Sequence, residues 1–157
     1  MKKWLLILLS IIILLTLQIK WPAAFSFFNL KPDLLLAFAI ALVFYFNFKI
    51  ALIGAALAGL FKDAFLPSFM AMNTFSFSIW SYLVFRLSSQ ISTENNYVRL
   101  AIILIVALFN NAVIGIQSLN SGNFIPAGIF LRNLLVVSVY TLALSPLILK
   151  LTRRIAA

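Results

Sequence analysis

Residues 33–66 read DLLLAFAIALVFYFNFKIALIGAALAGLFKDAFL, and this stretch decides the fold. Leu34 to Phe46 are thirteen apolar residues without interruption. A helix built from them has no polar face, so it can only lie inside protein or lipid. Asn47-Phe48-Lys49 breaks the run, and Ile50 to about Leu66 resumes it. A single helix of about 29 residues would overshoot a bilayer, so the stretch predicts two helices joined as a hairpin. Pro32 suits the first turn of the first helix, and Asp33 suits its positive end.

The rest of the 157 residues follow the same pattern. Hydrophobic residues make up 64% of the chain, against 12 Lys or Arg and 3 Asp or Glu. A soluble domain is about half apolar and about a quarter charged, so an aqueous globular fold is excluded. There is no His and no Cys. Imidazole or thiolate metal sites, cysteine nucleophiles and disulfides are therefore excluded. The three acids, Asp33, Asp63 and Glu94, are too scattered for an acid/base pair, and no cofactor is expected. The net charge of +9 is not gathered into a basic stripe, so it points to topology and anionic lipid, not to nucleic acid.

Crossing the hydrocarbon takes roughly 20 helical residues. Six spans are predicted, at about 4–21, 33–47, 50–66, 70–87, 98–119 and 129–149, forming one all-α membrane domain over 1–157. Trp4 and Trp21 bracket the first span, as interfacial aromatics do. A cleavable signal peptide is the rival reading there; Lys20 stands where a small-residue cleavage site would fall. Arg86 to Arg99 is the longest polar stretch, Asn120 to Asn123 reads as a turn, and Pro146 lies near the end of the sixth span. Six spans put both termini on one side. With the termini cytoplasmic, the inner flanks hold Lys2, Lys3, Lys49, Arg86, Arg99, Lys150, Arg153 and Arg154. The outer flanks hold Lys20, Lys31, Lys62 and Arg132, and eight against four favours termini inside.

The third span carries the densest signal. Ala51, Ala55, Gly59 and Asp63 recur every four residues, as do Gly54, Ala58 and Lys62. That spacing aligns small residues along a face where another helix can approach closely, either from this chain or from a partner. Asp63 shares the face and should point into protein. Its candidate partners are Asn73 and Arg132, Lys62 being adjacent and poorly placed. Asp63 is expected to tie spans three, four and six together. Asn110 and Asn111 sit mid-span, and two consecutive amides cannot share one face, so at least one should meet a neighbouring helix. Asp63, Asn73, Asn110 and Arg132 are thus the expected buried polar anchors. A proton-coupling role for Asp63 is disfavoured by the lack of a second buried acid and of His. Many of the 16 Phe residues fall in spans two to four, where they could face lipid or a partner helix.

The order of these signals resembles the MreD family of bacterial rod shape-determining membrane proteins. The resemblance starts at Gln18 and Trp21-Pro22, continues through Lys31-Pro32-Asp33, and is strongest at Gly54, Gly59, Asp63 and Asn73. The chain departs from the family's Gly-rich turn, having Pro67, Ser68 and Ala71 there. The resemblance implies a non-catalytic six-helix bundle similar in fold to the S components of energy-coupling factor transporters. It implies a scaffold of the peptidoglycan elongation machinery in the bacterial cytoplasmic membrane. The implied partners are the membrane helix of MreC, then RodA with its class B penicillin-binding transpeptidase, and MreB filaments indirectly. The alternative is a vitamin-binding transporter subunit. Such subunits resemble one another in an Ala-rich first helix, whereas Trp4 to Ile19 contains no Ala. An intramembrane enzyme is disfavoured, since no Lys lies deep enough in a span to pair with a serine.

Overall fold

The computed structural model describes residues 2–26, 28–65, 71–120, 122 and 124–157. They form six α-helices: α1 (Lys2–Ile19), α2 (Leu34–Tyr45), α3 (Phe48–Phe65), α4 (Met72–Ser88), α5 (Asn96–Asn120) and α6 (Ala127–Ala156). A single 3₁₀ turn, Ala23–Phe25, lies between α1 and α2. The predicted junction of spans three and four, with Pro67 and Ser68, lies outside the described residues, as do Ser121 and Asn123 of the predicted turn.

The all-apolar stretch becomes the axis of the bundle. Every residue of α2 from Leu34 to Val43 is buried, and α2 touches each of the other five helices. At 1.5 Å per residue its 12 residues reach only about 18 Å, the length of a core helix, too short to cross a bilayer alone. Phe46 turns extended, with φ −123° and ψ 161°, so α2 and α3 are separate helices, as the Asn47 break predicts. The Lys3 ammonium donates to the Ala156 carbonyl at 2.8 Å, which holds both termini at the same end.

Among the described residues, three helices, α1, α5 and α6, are long and apolar enough to cross a membrane. Their outward faces are apolar: Leu5 is 67% exposed, Ile116 54% and Leu147 67%. Burial from water cannot drive helices together where the surroundings are hydrocarbon; close packing and polar contacts between helices take over. Small residues supply the close packing. A Cβ on Gly54 would lie 2.6 Å from Leu42 Cδ1 of α2, with Ile7 of α1 at 3.8 Å. A Cβ on Gly59 would lie 2.6 Å from both the Asn73 carbonyl oxygen and the Thr74 Cα of α4. The second obstacle is backbone and cannot swing aside.

Gly59→Ala should therefore lower stability by about 2 kcal/mol, the usual cost of overpacking. Gly128→Ala, where nothing lies within 4 Å, should leave it unchanged or slightly raised. Thermal unfolding in detergent compares the two, and equal midpoints would mean that α3 and α4 do not need this approach.

The sixth helix is longer than predicted. It runs past 149 to Ala156, with Pro146 inside it and not near its end. Proline removes one helical hydrogen bond, yet Pro146 is exposed, and on both sides of it hydroxyls bond back to the helix. Ser145 Oγ donates to the Thr141 carbonyl at 2.7 Å, and Thr152 Oγ1 to that of Ile148 at 2.8 Å.

Candidate functional site

Two helix N-termini in the interior would be left with unsatisfied N–H groups, and an aspartate meets each of them. Asp33 precedes α2, and its Oδ1 accepts from the Leu36 N–H at 3.2 Å. Its backbone N–H donates to Thr141 Oγ1 of α6 at 2.9 Å. Thr141 lies about 21 Å along the axis from Ala127, so α2 begins well inside the bundle. A carboxylate at such depth needs a counter-charge. Lys62 of α3 provides it, with Nζ 2.5 Å from Asp33 Oδ2 and the two side chains only 12% and 6% exposed. The same ammonium lies 5.1 Å from the centre of the Phe77 ring of α4.

Ala71, at the N-cap of α4, has φ 53° and no capping side chain. Asp63 of α3 caps α4 from outside. Its Oδ1 accepts from the Asn73 N–H at 3.1 Å and from Asn73 Nδ2 at 2.8 Å. Its Oδ2 accepts from the Thr74 N–H at 2.8 Å and from Thr74 Oγ1 at 2.7 Å. The two backbone N–H groups are the donors that a local N-cap residue would engage, and the carboxylate adds a negative charge at the positive helix end. Gly59, one turn earlier on α3, leaves the space in which the two helices meet.

The mid-span amides divide between neighbours, being about 100° apart on α5. The Ser76 hydroxyl of α4 donates to Asn110 Oδ1, and Asn111 Nδ2 donates to Ser138 Oγ of α6 at 3.0 Å. Together these bonds join α2, α3, α4, α5 and α6.

The structure brings Asp63, Asn73, Pro32–Asp33 and Asn110 into or beside this polar network. It buries Ala51, Gly54, Ala55, Ala58 and Gly59 within the chain, so that face is occupied by the protein's own helices. Arg132 is a correction. It is exposed, not a buried anchor, and stacks 5.4 Å from the Phe28 ring without reaching Asp63. Nine residues separate Arg132 from Thr141, which places them on opposite sides of α6. The link to α6 runs through Asp33 instead. Lys62 is a second correction: counted at the outer flank, it is an internal partner of Asp33.

Sequence reasoning missed the Asp33–Lys62 pair and the hydroxyl stripe Ser138, Thr141, Ser145 and Thr152, all fully buried. The stripe was visible as a helical spacing of small polar residues. The pair had no local signal, since 29 residues separate its members.

Chemically both interior carboxylates are engaged. One carboxylate is neutralised, the other accepts four hydrogen bonds, and no group of three His, Cys, Asp or Glu gathers among the described residues. Long helices that turn polar groups inward and apolar faces outward define a membrane protein. The family model described as rod shape-determining protein MreD matches residues 1–155, and the chain belongs to that family. Its role accordingly lies in determining rod shape. No curated protein and no solved structure matches the chain.

Proposed function

We propose that the protein is a non-catalytic scaffold of the cell-wall elongation machinery, crossing the bacterial cytoplasmic membrane six times as one domain with both termini cytoplasmic. Its arrangement would follow the S components of energy-coupling factor transporters, with the short α2 and its non-helical flanks together as the buried central crossing. The charge count favours this orientation more strongly once Lys62 is removed from the outer flank, leaving eight cations against three. One observation carries the scaffold reading: the interior carboxylates are paired or hydrogen-bonded within the chain, while apolar helix faces are left for neighbours.

Of the surfaces considered for a partner helix, the small face of α3 is filled by α1, α2 and α4. Of the Phe residues in α2, α3 and α4, Phe65 and Phe75 are exposed, whereas Phe38 and Phe77 are buried in the core. Between α4 and α5 runs an apolar groove of about 410 Å³, walled by Trp80, Leu83, Leu87, Ile105, Val106 and Phe109. We assign it to the single membrane helix of MreC, through which RodA, its transpeptidase and, indirectly, MreB would be reached. The vitamin-binding alternative gains nothing here: the cavity between α5 and α6, mostly apolar with Asn111, Ser118 and Asn133 on its wall, is about 240 Å³, below the usual size of a ligand pocket.

Ile105→Trp would fill the groove without adding charge. Co-purification of MreC from gently solubilised membranes should fall about tenfold, equivalent to about 1.4 kcal/mol. Leu5→Trp, on the exposed face of α1, should leave recovery unchanged. Wild-type recovery with both variants would reject the groove, and failure of the wild-type chain to recover MreC would reject the scaffold.

A further inference from the structure

We propose that a basic cleft at the end of the bundle carrying both termini holds the headgroup of an anionic phospholipid. The cleft encloses about 300 Å³ where the first turns of α5 meet the last turns of α6, beside the end of α2. Lys150 and Arg153 line it from α6, and Asn96 and Tyr45 line it from α5 and α2. Three residues apart on a helix, the two cations share one face.

A third cation stands behind them in a fixed position. Arg99 donates through Nε to the Thr93 carbonyl at 2.5 Å and through Nη1 to the Tyr45 hydroxyl at 2.7 Å. Its guanidinium also lies 4.7 Å from the centre of the Tyr45 ring. The start of α5 adds the partial positive charge of a helix N-terminus. None of these three cations forms an ion pair among the described residues, where Lys62–Asp33 is the only one. Glu94, the one acid in the adjoining loop, is exposed and pairs with none of them. Lys150 and Arg153 are exposed on one wall of the cleft without an acid to meet them, and an anion from outside would find both.

The lining also decides which anion. One wall is polar, and the other consists of Leu100, Pro146 and Leu149. A free phosphate has no use for the apolar wall, whereas a phospholipid places its phosphodiester on the cations and its acyl chains on the apolar side. The inference rests on the membrane-spanning reading above, which sets this cleft at the bilayer boundary, but not on the MreC assignment.

The test uses the full-length protein purified in neutral detergent. Phosphatidylglycerol, phosphatidylcholine and inorganic phosphate are titrated separately, with bound adducts counted by native mass spectrometry. Phosphatidylglycerol should occupy one site at least about tenfold more tightly than phosphatidylcholine, a difference of about 1.4 kcal/mol. Inorganic phosphate should not displace it. The double variant K150Q/R153Q should lose about tenfold in phosphatidylglycerol affinity. K2Q/K49Q, removing the same charge from the same end outside the cleft, should lose less than about twofold. Leu100→Trp, which fills the cleft and alters no charge, should reproduce the tenfold loss even if the charge variants fold poorly. Equal losses in the two double variants would mean diffuse attraction and overturn the proposal. So would wild-type affinity in Leu100→Trp, equal binding of phosphatidylcholine, or displacement by phosphate. Retained MreC recovery beside absent lipid binding would reject the lipid site and leave the scaffold standing.

Discussion

Lys62→Met is expected to destabilise the folded chain by about 3–5 kcal/mol, the cost of leaving a buried carboxylate without its counter-charge. The Asp33 side chain is 6% exposed and lies far from either helix end of α6, so water cannot readily replace the ammonium. Asp33→Asn alone should be destabilising for the mirror reason, because Lys62 then keeps a charge beside the Phe77 ring with no acid to meet it. The double variant Asp33→Asn/Lys62→Met should recover most of the loss. Asn is a good N-cap and can still accept from the Leu36 N–H, and no charge remains in the interior. Reversible unfolding in mixed micelles should then give a coupling energy at least as large as the Lys62→Met loss itself, because the double variant costs less than either single one. A Lys62→Met protein within about 1 kcal/mol of wild type would show that the ammonium is dispensable.

Asp63→Leu is expected to cost about 3–4 kcal/mol, since it strands two backbone N–H groups and two side-chain donors at the start of α4. Asp63→Asn keeps one acceptor oxygen and replaces the other with a donor that faces Asn73 or Thr74. It should fall about midway between wild type and Asp63→Leu in folded yield and in unfolding free energy. The ordering wild type, Asn, Leu is the signature of a cap made from a neighbouring helix. Wild-type yields for both variants would mean that α4 is held by packing at Gly59 alone.

The two aspartates differ in how legible they were. Asp33 sits immediately before an apolar run and after Pro32, a local pattern that any helix start repeats. Its capping of α2 follows from that pattern, and its link to Lys62 does not. Asp63 could be assigned to an inward face from its four-residue spacing with Gly59 and Ala55. Asn73 was a visible partner ten residues on, but Thr74 was not, because four donors on one carboxylate arise only when α4 starts beside it. Arg132 failed as a partner for the same kind of reason. It has a suitable charge and sequence depth, but the rotation of α6 turns it outward onto Phe28.

The basic cleft was still less legible. Lys150, Arg153 and Arg99 entered the sequence reading as topology markers and as part of a net charge suited to anionic lipid, roles that depend on number and side and not on position. Their convergence depends on α6 continuing to Ala156 through Pro146, beyond the point where the hydrophobic pattern stops. The buried face continues at helical spacing through Ile148, Leu149, Thr152 and Ile155, but the charges between them hide it from a reading of hydropathy alone.

What the sequence determined alone was the solvent and the inventory: helices that must lie in an apolar medium, a central segment without any polar face, and a supply of reactive groups too small for catalysis by His or Cys. Those conclusions come from composition and local period, which do not depend on what a residue touches. What only the tertiary structure decided was the pairing: Asp33 with Lys62, Asp63 with the start of α4, Asn110 with Ser76, and Asn111 with Ser138. A buried polar group takes whichever partner the rotation and depth of the neighbouring helix bring to it, and neither quantity is written in the chain that carries it.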